Sequence, residues 1–465
     1  MREHGAESDT IDLRELWSRL GDASSPRAVA AAAAFLLSFY VGLALAYRDS
    51  IPLFEAPDEP SHLHYAAFVH SERRLPRLQP LDVPGEGMQP PLAYVVAAPL
   101  LSATDLDVGA ALDDLHAVGL SVYNLGGTSQ GGPRLAISAR GKRRFATDGS
   151  LTALQVLRGT SLVFGVLAVI FTFAAAWRVS RDARLSLLAA SLLAFNPQFL
   201  FTSGYFSNDA AAAAVGASAL WVVVRALGDS AAGPSRGHYL AGALVFALGV
   251  LTKFSTLPGI AVAAVTVVAL DRRARRERLL DVALAAGLVL LLTGPYLLWS
   301  AEHRGGLLDT GAVVASALGL VHADWDWSFE SYWARFGWFN VIVPKAVYLA
   351  FFALTWTGVL GFFAGRMPVA VDALRSHALR GYLAAAVGAT LAAHFAMNLL
   401  IVSPQGRHLF ASAPQFAFLL ALGVCRLIGS ERRMLPIAIS ITAGLIALDV
   451  YCLRAVLVPA YREVP

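Results

Sequence analysis

Apolar stretches of about 20 residues, long enough to cross the hydrocarbon core of a bilayer as helices, recur along this 465-residue chain, with Arg-rich or Gly/Pro-rich breaks between them. They predict about eleven spans, at 28–47, 154–177, 184–203, 209–227, 238–252, 256–270, 279–300, 344–365, 381–402, 409–427 and 434–455. The fifth and sixth are short and read equally well as one broken pair. Apolar residues make up 56% of the chain and charged ones 15%, where a soluble domain carries about 25% charge. A mean hydropathy of +0.57 leaves more apolar surface than a globule of this length can bury. The expectation is an all-α polytopic membrane protein, and an ordinary soluble enzyme is excluded. The net charge of +4 comes from basic residues dispersed between spans, which fits membrane topology and not nucleic-acid binding. Cys425 and Cys452 fall near opposite membrane faces on this reading, so no disulfide joins them, and the chain shows no thiol or metal motif.

Positive charge in short loops is retained on the cytoplasmic side. One alternate set of loops is clearly richer in it, holding Arg178, Arg181 and Arg184, then Arg225 and Arg236, the run from Arg272 to Arg278, then Arg366, Arg375 and Arg380, and Arg426, Arg432 and Arg433. The opposite short turns hold little more than Lys253 and Arg407. This places the N-terminus inside, the C-terminus outside, and the loops 48–153 and 301–343 on the extracytoplasmic face. The chain then divides into a cytoplasmic amphipathic N-terminus (1–27, with IDLRELWSRL at helical spacing), an uncleaved first span, the large first outer loop, spans two to seven (154–300), an aromatic outer loop, and spans eight to eleven with a short tail (344–465).

The first outer loop opens with Phe54-Glu55-Ala56-Pro57-Asp58-Glu59-Pro60-Ser61-His62-Leu63-His64-Tyr65. Three carboxylates and two imidazoles within eleven positions suit a general base toward a hydroxyl, or a divalent-metal site using Asp58 and His62. Asp58 as the cap of a helix opened by Pro60 accounts for part of the same pattern. Met88-Gln89-Pro90-Pro91-Leu92 introduces an apolar run, 92–103, too short to span and suited to a re-entrant or interfacial helix. The stretch 124–150 is rich in Gly, Ser and charge and reads as a loop.

Other polar residues fall at the same outer face. Asp209, in Ser207-Asn208-Asp209, either caps its helix or contacts substrate. Lys253 breaks the positive-inside trend and calls for an anionic partner, a lipid phosphate or none if it snorkels. Arg407, in Gln405-Gly406-Arg407-His408, can grip phosphate oxygens bidentately without titrating, and His408 either adds a hydrogen bond or packs as a neutral ring. The loop 301–343 gathers Trp325, Trp327, Tyr332, Trp333 and Trp338 beside Asp324, Asp326 and Glu330, a composition that fits interfacial anchoring and sugar binding alike.

The acidic pair after a first span, a Gln-Pro-Pro-Leu helix and a second span opening with Arg158 resemble the GT-C superfamily of membrane glycosyltransferases, whose familiar members include lipid-A aminoarabinose transferases and protein O-mannosyltransferases. PDEPSHLHY, NPQFLFTSGYFSND, LTKFS, SYWARFGWFNVIVP and QGRHLF together resemble a bacterial membrane family of unknown function in that clan, over residues 50 to 425. The resemblance implies a GT-C-like bundle that transfers a sugar from a polyprenyl-phosphate carrier to an envelope glycan, lipid or protein. It puts the catalytic Asp at Asp58, with Glu59 as second carboxylate. Arg407, Lys253 and His408 would then face the donor phosphate, and His62, His64, Gln89, Asp209 and Trp338 the substrates. The chain has no GxxxxGK[ST] string, which argues against an ATP-driven pump. A lipid-linked-sugar transporter or flippase, and a non-catalytic relative of the fold, are the alternatives.

Overall fold

The computed structural model describes residues 25–108, 111–116, 149–228, 233–304, 325–365, 373–400, 403–428 and 430–462. The amphipathic segment 11–20 and most of 124–150 lie outside the described residues. Helices form at every stretch expected to span: α1 (Pro26–Ser50), α4 (Ser150–Ser180), α5 (Ala183–Ala194) with α6 (Pro197–Gly204), α7 (Asp209–Gly228), α8 (Arg236–Thr252), α9 (Leu257–Leu270), α10 (Arg275–Arg304), α12 (Lys345–Ala364), α13 (Ala373–Leu400), α14 (Ala413–Ile428) and α15 (Glu431–Tyr451). The first outer loop holds α2 (Glu59–Glu72) and α3 (Leu92–Ala97), which runs on into a 3-10 turn to Ala103, and the aromatic loop holds α11 (Trp325–Trp333). The described β-structure is one antiparallel pair, β1 (Arg335–Phe336) and β2 (Val341–Ile342).

The architecture is an all-α polytopic membrane bundle, but eleven crossing helices are not shown. Among the described residues, seven helices are long and apolar enough to cross a membrane, or eight if α5 and α6, bent by 61°, count as one broken span. With 17 and 14 residues, α8 and α9 reach only about 25 and 21 Å at 1.5 Å per residue, short of a core about 30 Å thick. The bend between α5 and α6 has a local cause. Asn196 leaves the helix and its side chain accepts from the backbone of Gln198 and Phe199, with Pro197 at the first position of α6.

At the centre, α7 is buried along most of its length against α4, while α10 exposes Leu290, Leu291 and Leu298 on the rim. With no hydrophobic drive between helices in lipid, close backbone approach supplies much of the packing. The crossing of α12 on α14 shows this, because a Cβ at Gly423 would sit 1.7 Å from the Gly358 carbonyl oxygen. Cys425 and Cys452 are both free and buried. The two ends of the bundle differ in chemistry. Arg184–Asp182, Arg236–Asp281 and Arg273–Asp271 pair at one end, and the turns after α1, α8 and α13 meet at the other. Replacing Gly423 by Leu should force α12 and α14 apart at a cost of about 2 kcal/mol or more, read as a drop in apparent melting temperature in detergent. Gly388→Ala, where an added Cβ meets nothing within 4 Å, should leave that temperature unchanged or raised.

Candidate functional site

The chain leaves α1 at Ser50 and turns into α2 through residues whose carbonyls would be stranded without a donor. Arg158, fully buried on α4, supplies it, donating to the carbonyls of Ile51 at 2.8 Å and Pro52 at 3.2 Å. Its Nε and Nη2 hold the Glu59 carboxylate bidentately at 2.8 and 2.7 Å. Glu59 is itself fully buried and also accepts from the backbone N–H of Phe206 at 3.0 Å. Breaking a pair this deep leaves an uncompensated charge. Glu59, expected as a second catalytic carboxylate, is not among the residues lining the cavity described below, and it anchors the turn that presents its neighbour. That neighbour, Asp58, adopts φ 60° and makes no cap bond to its own helix, so its side chain is free to turn away from α2.

Asp58 reaches Arg407, whose Nη2 donates to its carboxylate. The rest of the guanidinium is held by buried groups. Nε donates to Gln405 Oε1 at 2.7 Å, and Nη1 to the Tyr205 hydroxyl at 3.4 Å, with Asp209 3.6 Å from the same nitrogen. The other oxygen of Asp209 takes a hydrogen bond from Lys253 Nζ. Asp209, only 1% exposed, thus binds two cations that arrive on different turns. Gly406 makes the Arg407 turn fit, since a Cβ there would lie 2.2 Å from the Tyr332 amide nitrogen of α11, while its own N–H donates to Ser331 at 2.7 Å.

Asp58, Lys253 and Arg407 line one cavity of about 400 Å³, together with Glu86, Gln89, Gln405 and His408. Lys253 gives Asp209 one of its three donors and has no other partner among the described residues. His408 Nδ1 is buried and has no hydrogen-bond partner there. Gln89 accepts from Asn208 Nδ2 at 3.1 Å, which ties the Pro-Pro turn to the start of α7. Five of the expected residues, Asp58, Gln89, Lys253, Arg407 and His408, meet on this cavity, and Asp209 stands behind it.

The others lie elsewhere. His62 is buried with Nδ1 2.8 Å from the Tyr94 hydroxyl, and its ring stacks on Tyr94. Burial pushes its pKa down to about 3, against the pull of Asp58. His64 faces the opposite way, its ring 5.7 Å from that of His116, because residues two apart diverge by about 200° around a helix. Neither imidazole, both expected at the substrates, is among the residues lining this cavity. Trp338 Nε1 donates to the Phe54 carbonyl at 3.0 Å, so it braces the turn before Asp58, and it is not among the residues lining the cavity. A divalent cation does not fit the expected Asp58–His62 pair. Arg407 engages the carboxylate, Tyr94 engages the imidazole, and no group of three His, Cys, Asp or Glu among the described residues could hold a metal ion.

Comparison with known proteins gives one family model and two solved structures. Residues 152–299 match the family model described as dolichyl-phosphate-mannose-protein mannosyltransferase, a segment that carries Arg158, Asp209 and Lys253. Two solved structures are similar: ArnT from Cupriavidus metallidurans in the apo state, at 16% identity and TM-score 0.48 over 91% of this chain and 66% of that one, and the same protein bound to undecaprenyl phosphate, at 14% identity and TM-score 0.47 over 92% and 73%. No curated protein matches.

Sequence reasoning missed Glu86, which follows Gly85 at φ 70°. The signal available was an acidic residue between two glycines just ahead of Gln89. Half-buried on the cavity, its carboxyl has no cation bonded to it among the described residues. Burial and the nearby Asp58 charge push its pKa up to about 7, against the opposing pull of Lys253 and Arg407. The folded protein therefore keeps a proton that the unfolded chain releases above its ordinary value of 4.5, and the stability Glu86 contributes at low pH is lost as pH rises through about 7. Glu86→Gln should match the wild type at pH 4.5 and exceed it at pH 8 by about 1 kcal/mol or more, measured as the difference between their thermal unfolding curves at the two pH values.

Proposed function

We propose that this protein is an inverting GT-C-type glycosyltransferase that moves a sugar from a polyprenyl-phosphate carrier to a cell-envelope acceptor. The observation that carries the reading is one cavity lined by a carboxylate and two cations, Asp58, Arg407 and Lys253, with Asp209 holding both cations from behind. The match of residues 152–299 to a family described by a dolichyl-phosphate sugar donor supports the same class. In the step proposed, the acceptor oxygen bonds to the anomeric carbon while the bond from that carbon to the phosphate oxygen breaks. The electron pair leaves on the lipid phosphate and the acceptor proton passes to Asp58. Arg407 and Lys253 stabilise the charge that grows on the leaving phosphate, and fixed cations beside a low-dielectric bundle do so without reorganising. His408 and Gln89 are placed to add hydrogen bonds to the donor.

The cavity is proposed to open on the extracytoplasmic side of a bacterial cytoplasmic membrane, with the N-terminus inside. A transporter would gather its charged residues near mid-membrane, within repeated halves. Here the cavity charges sit at the turns between helices, at one end of the bundle. Purified protein in liposomes should transfer radiolabelled sugar from a panel of polyprenyl-phosphate sugars to envelope acceptors. Asp58→Asn should cut transfer by about 100-fold or more with normal membrane yield, and Arg407→Ala by a similar factor. Lys253→Ala should act chiefly by raising the donor KM. Donor crossing the bilayer with no glycosidic bond formed would establish the transporter instead. Donor binding without transfer, equal in wild type and Asp58→Asn, would establish the inactive relative.

A further inference from the structure

Arg407 has five N–H donors, and their partners are unequal. Those on Nε and Nη1 point to Gln405, Tyr205 and Asp209, all buried. The guanidinium face lies over Phe339, 5.5 Å from the ring centre. Nη2 alone is bonded to a group with substantial exposure to the cavity: the side chain of Asp58 is 27% exposed, against 1% for Asp209. The edge of Arg407 whose partner is most exposed to the cavity is therefore the one that Asp58 already occupies. A carboxylate and a phosphate present similar oxygen pairs to a guanidinium. We infer that Asp58 holds, in the donor-free protein, the place on Arg407 that the donor phosphate takes, so that the phosphate and the carboxylate exclude one another there.

The inference rests on the polyprenyl-phosphate reading and deepens it. The carboxylate is turned to the guanidinium and not to an incoming hydroxyl, so the base is held out of position until a phosphate arrives and displaces it. Displacement then leaves the Asp58 lone pairs facing the cavity where an acceptor hydroxyl enters. The conformation of Asp58 suits such a release, because φ 60° and the missing cap bond mean that Arg407 restrains the carboxylate and α2 does not. Donor binding and base activation thereby become one event, and an acceptor or water that enters alone meets a masked carboxylate.

Two roles for Asp58 make opposite predictions. If it merely positions Arg407, neutralising it weakens phosphate binding; if it competes with the phosphate, neutralising it tightens binding. The test is the affinity of full-length protein in phosphatidylcholine nanodiscs for undecaprenyl phosphate, which needs no acceptor and no turnover. Asp58→Asn should bind roughly tenfold more tightly than wild type, in keeping with the loss of one charge-assisted competitor. Asn tolerates the left-handed backbone at this position. Asp58→Gly, which also accepts that backbone, should tighten binding in the same direction, so a folding defect in one variant does not decide the result. Glu86→Gln removes a cavity carboxylate that Arg407 does not bond, and should change affinity less than threefold. Affinity unchanged or weakened in the Asp58 variants overturns the inference, as does an equal gain in Glu86→Gln, which would show general repulsion in place of exchange at one edge. Absence of binding by every protein, wild type included, overturns the donor reading itself.

Discussion

A carboxylate almost wholly removed from solvent cannot remain charged without partners, and Asp209 has two. Lys253 comes from the turn between α8 and α9, Arg407 from the turn between α13 and α14, and Asp209 itself opens α7. One buried anion thus draws three separate parts of the chain to one point. Each cation is fixed from behind; Lys253 keeps donors on its other side, and Arg407 turns its Nη2 to Asp58. The same arrangement accounts for a basic pair on the face opposite to the Arg-rich loops, a distribution that topology alone does not explain. A second buried pair, Glu59 with Arg158, performs the equivalent task for the turn after α1 and delivers Asp58 to the opening between them.

The bundle was legible because apolar length is a strong signal, and the helices fall where that signal places them. Crossing number was less so, since α8 and α9 are apolar enough but too short and the Asn196-Pro197 step that bends α5 from α6 by 61° sits inside one continuous apolar stretch. In the site, Asp58, Lys253 and Arg407 stood out as charges at turns where charge is costly. The placement of Glu59 away from the cavity was not legible, because adjacency in sequence is not adjacency in direction. Successive helical residues diverge by about 100°, and the left-handed step at Asp58 turns the two carboxylates further apart. The partner that settles where Glu59 points, Arg158, is 99 residues away, a pairing invisible to local pattern.

Polar residues at the α5–α6 break hold the scaffold. Asn196 caps α6 and donates through Nδ2 to the Tyr332 carbonyl, while Gln198 Oε1 accepts from the Arg335 amide. Together they dock the aromatic segment onto the bundle. Trp338 closes the same seam against Phe54. These contacts hold the aromatic-rich segment 325–343 against the bundle beside the cavity. Glu86 shows the converse, a carboxylate in an undistinguished glycine turn that the fold brings to the cavity and leaves without a cation. Its raised pKa follows first from burial and then from the Asp58 charge, with Lys253 and Arg407 pulling the other way.

The central claim is that Arg407 and Lys253 form a lipid-phosphate subsite. The most direct measurement is a cryo-electron microscopy structure of the protein in nanodiscs loaded with undecaprenyl phosphate. The account predicts phosphate density between the Arg407 Nη2 edge and Lys253 Nζ, with the Asp58 carboxylate swung away and Asp209 still holding both cations. Phosphate density outside this cavity, with the Asp58–Arg407 bond intact, would contradict it.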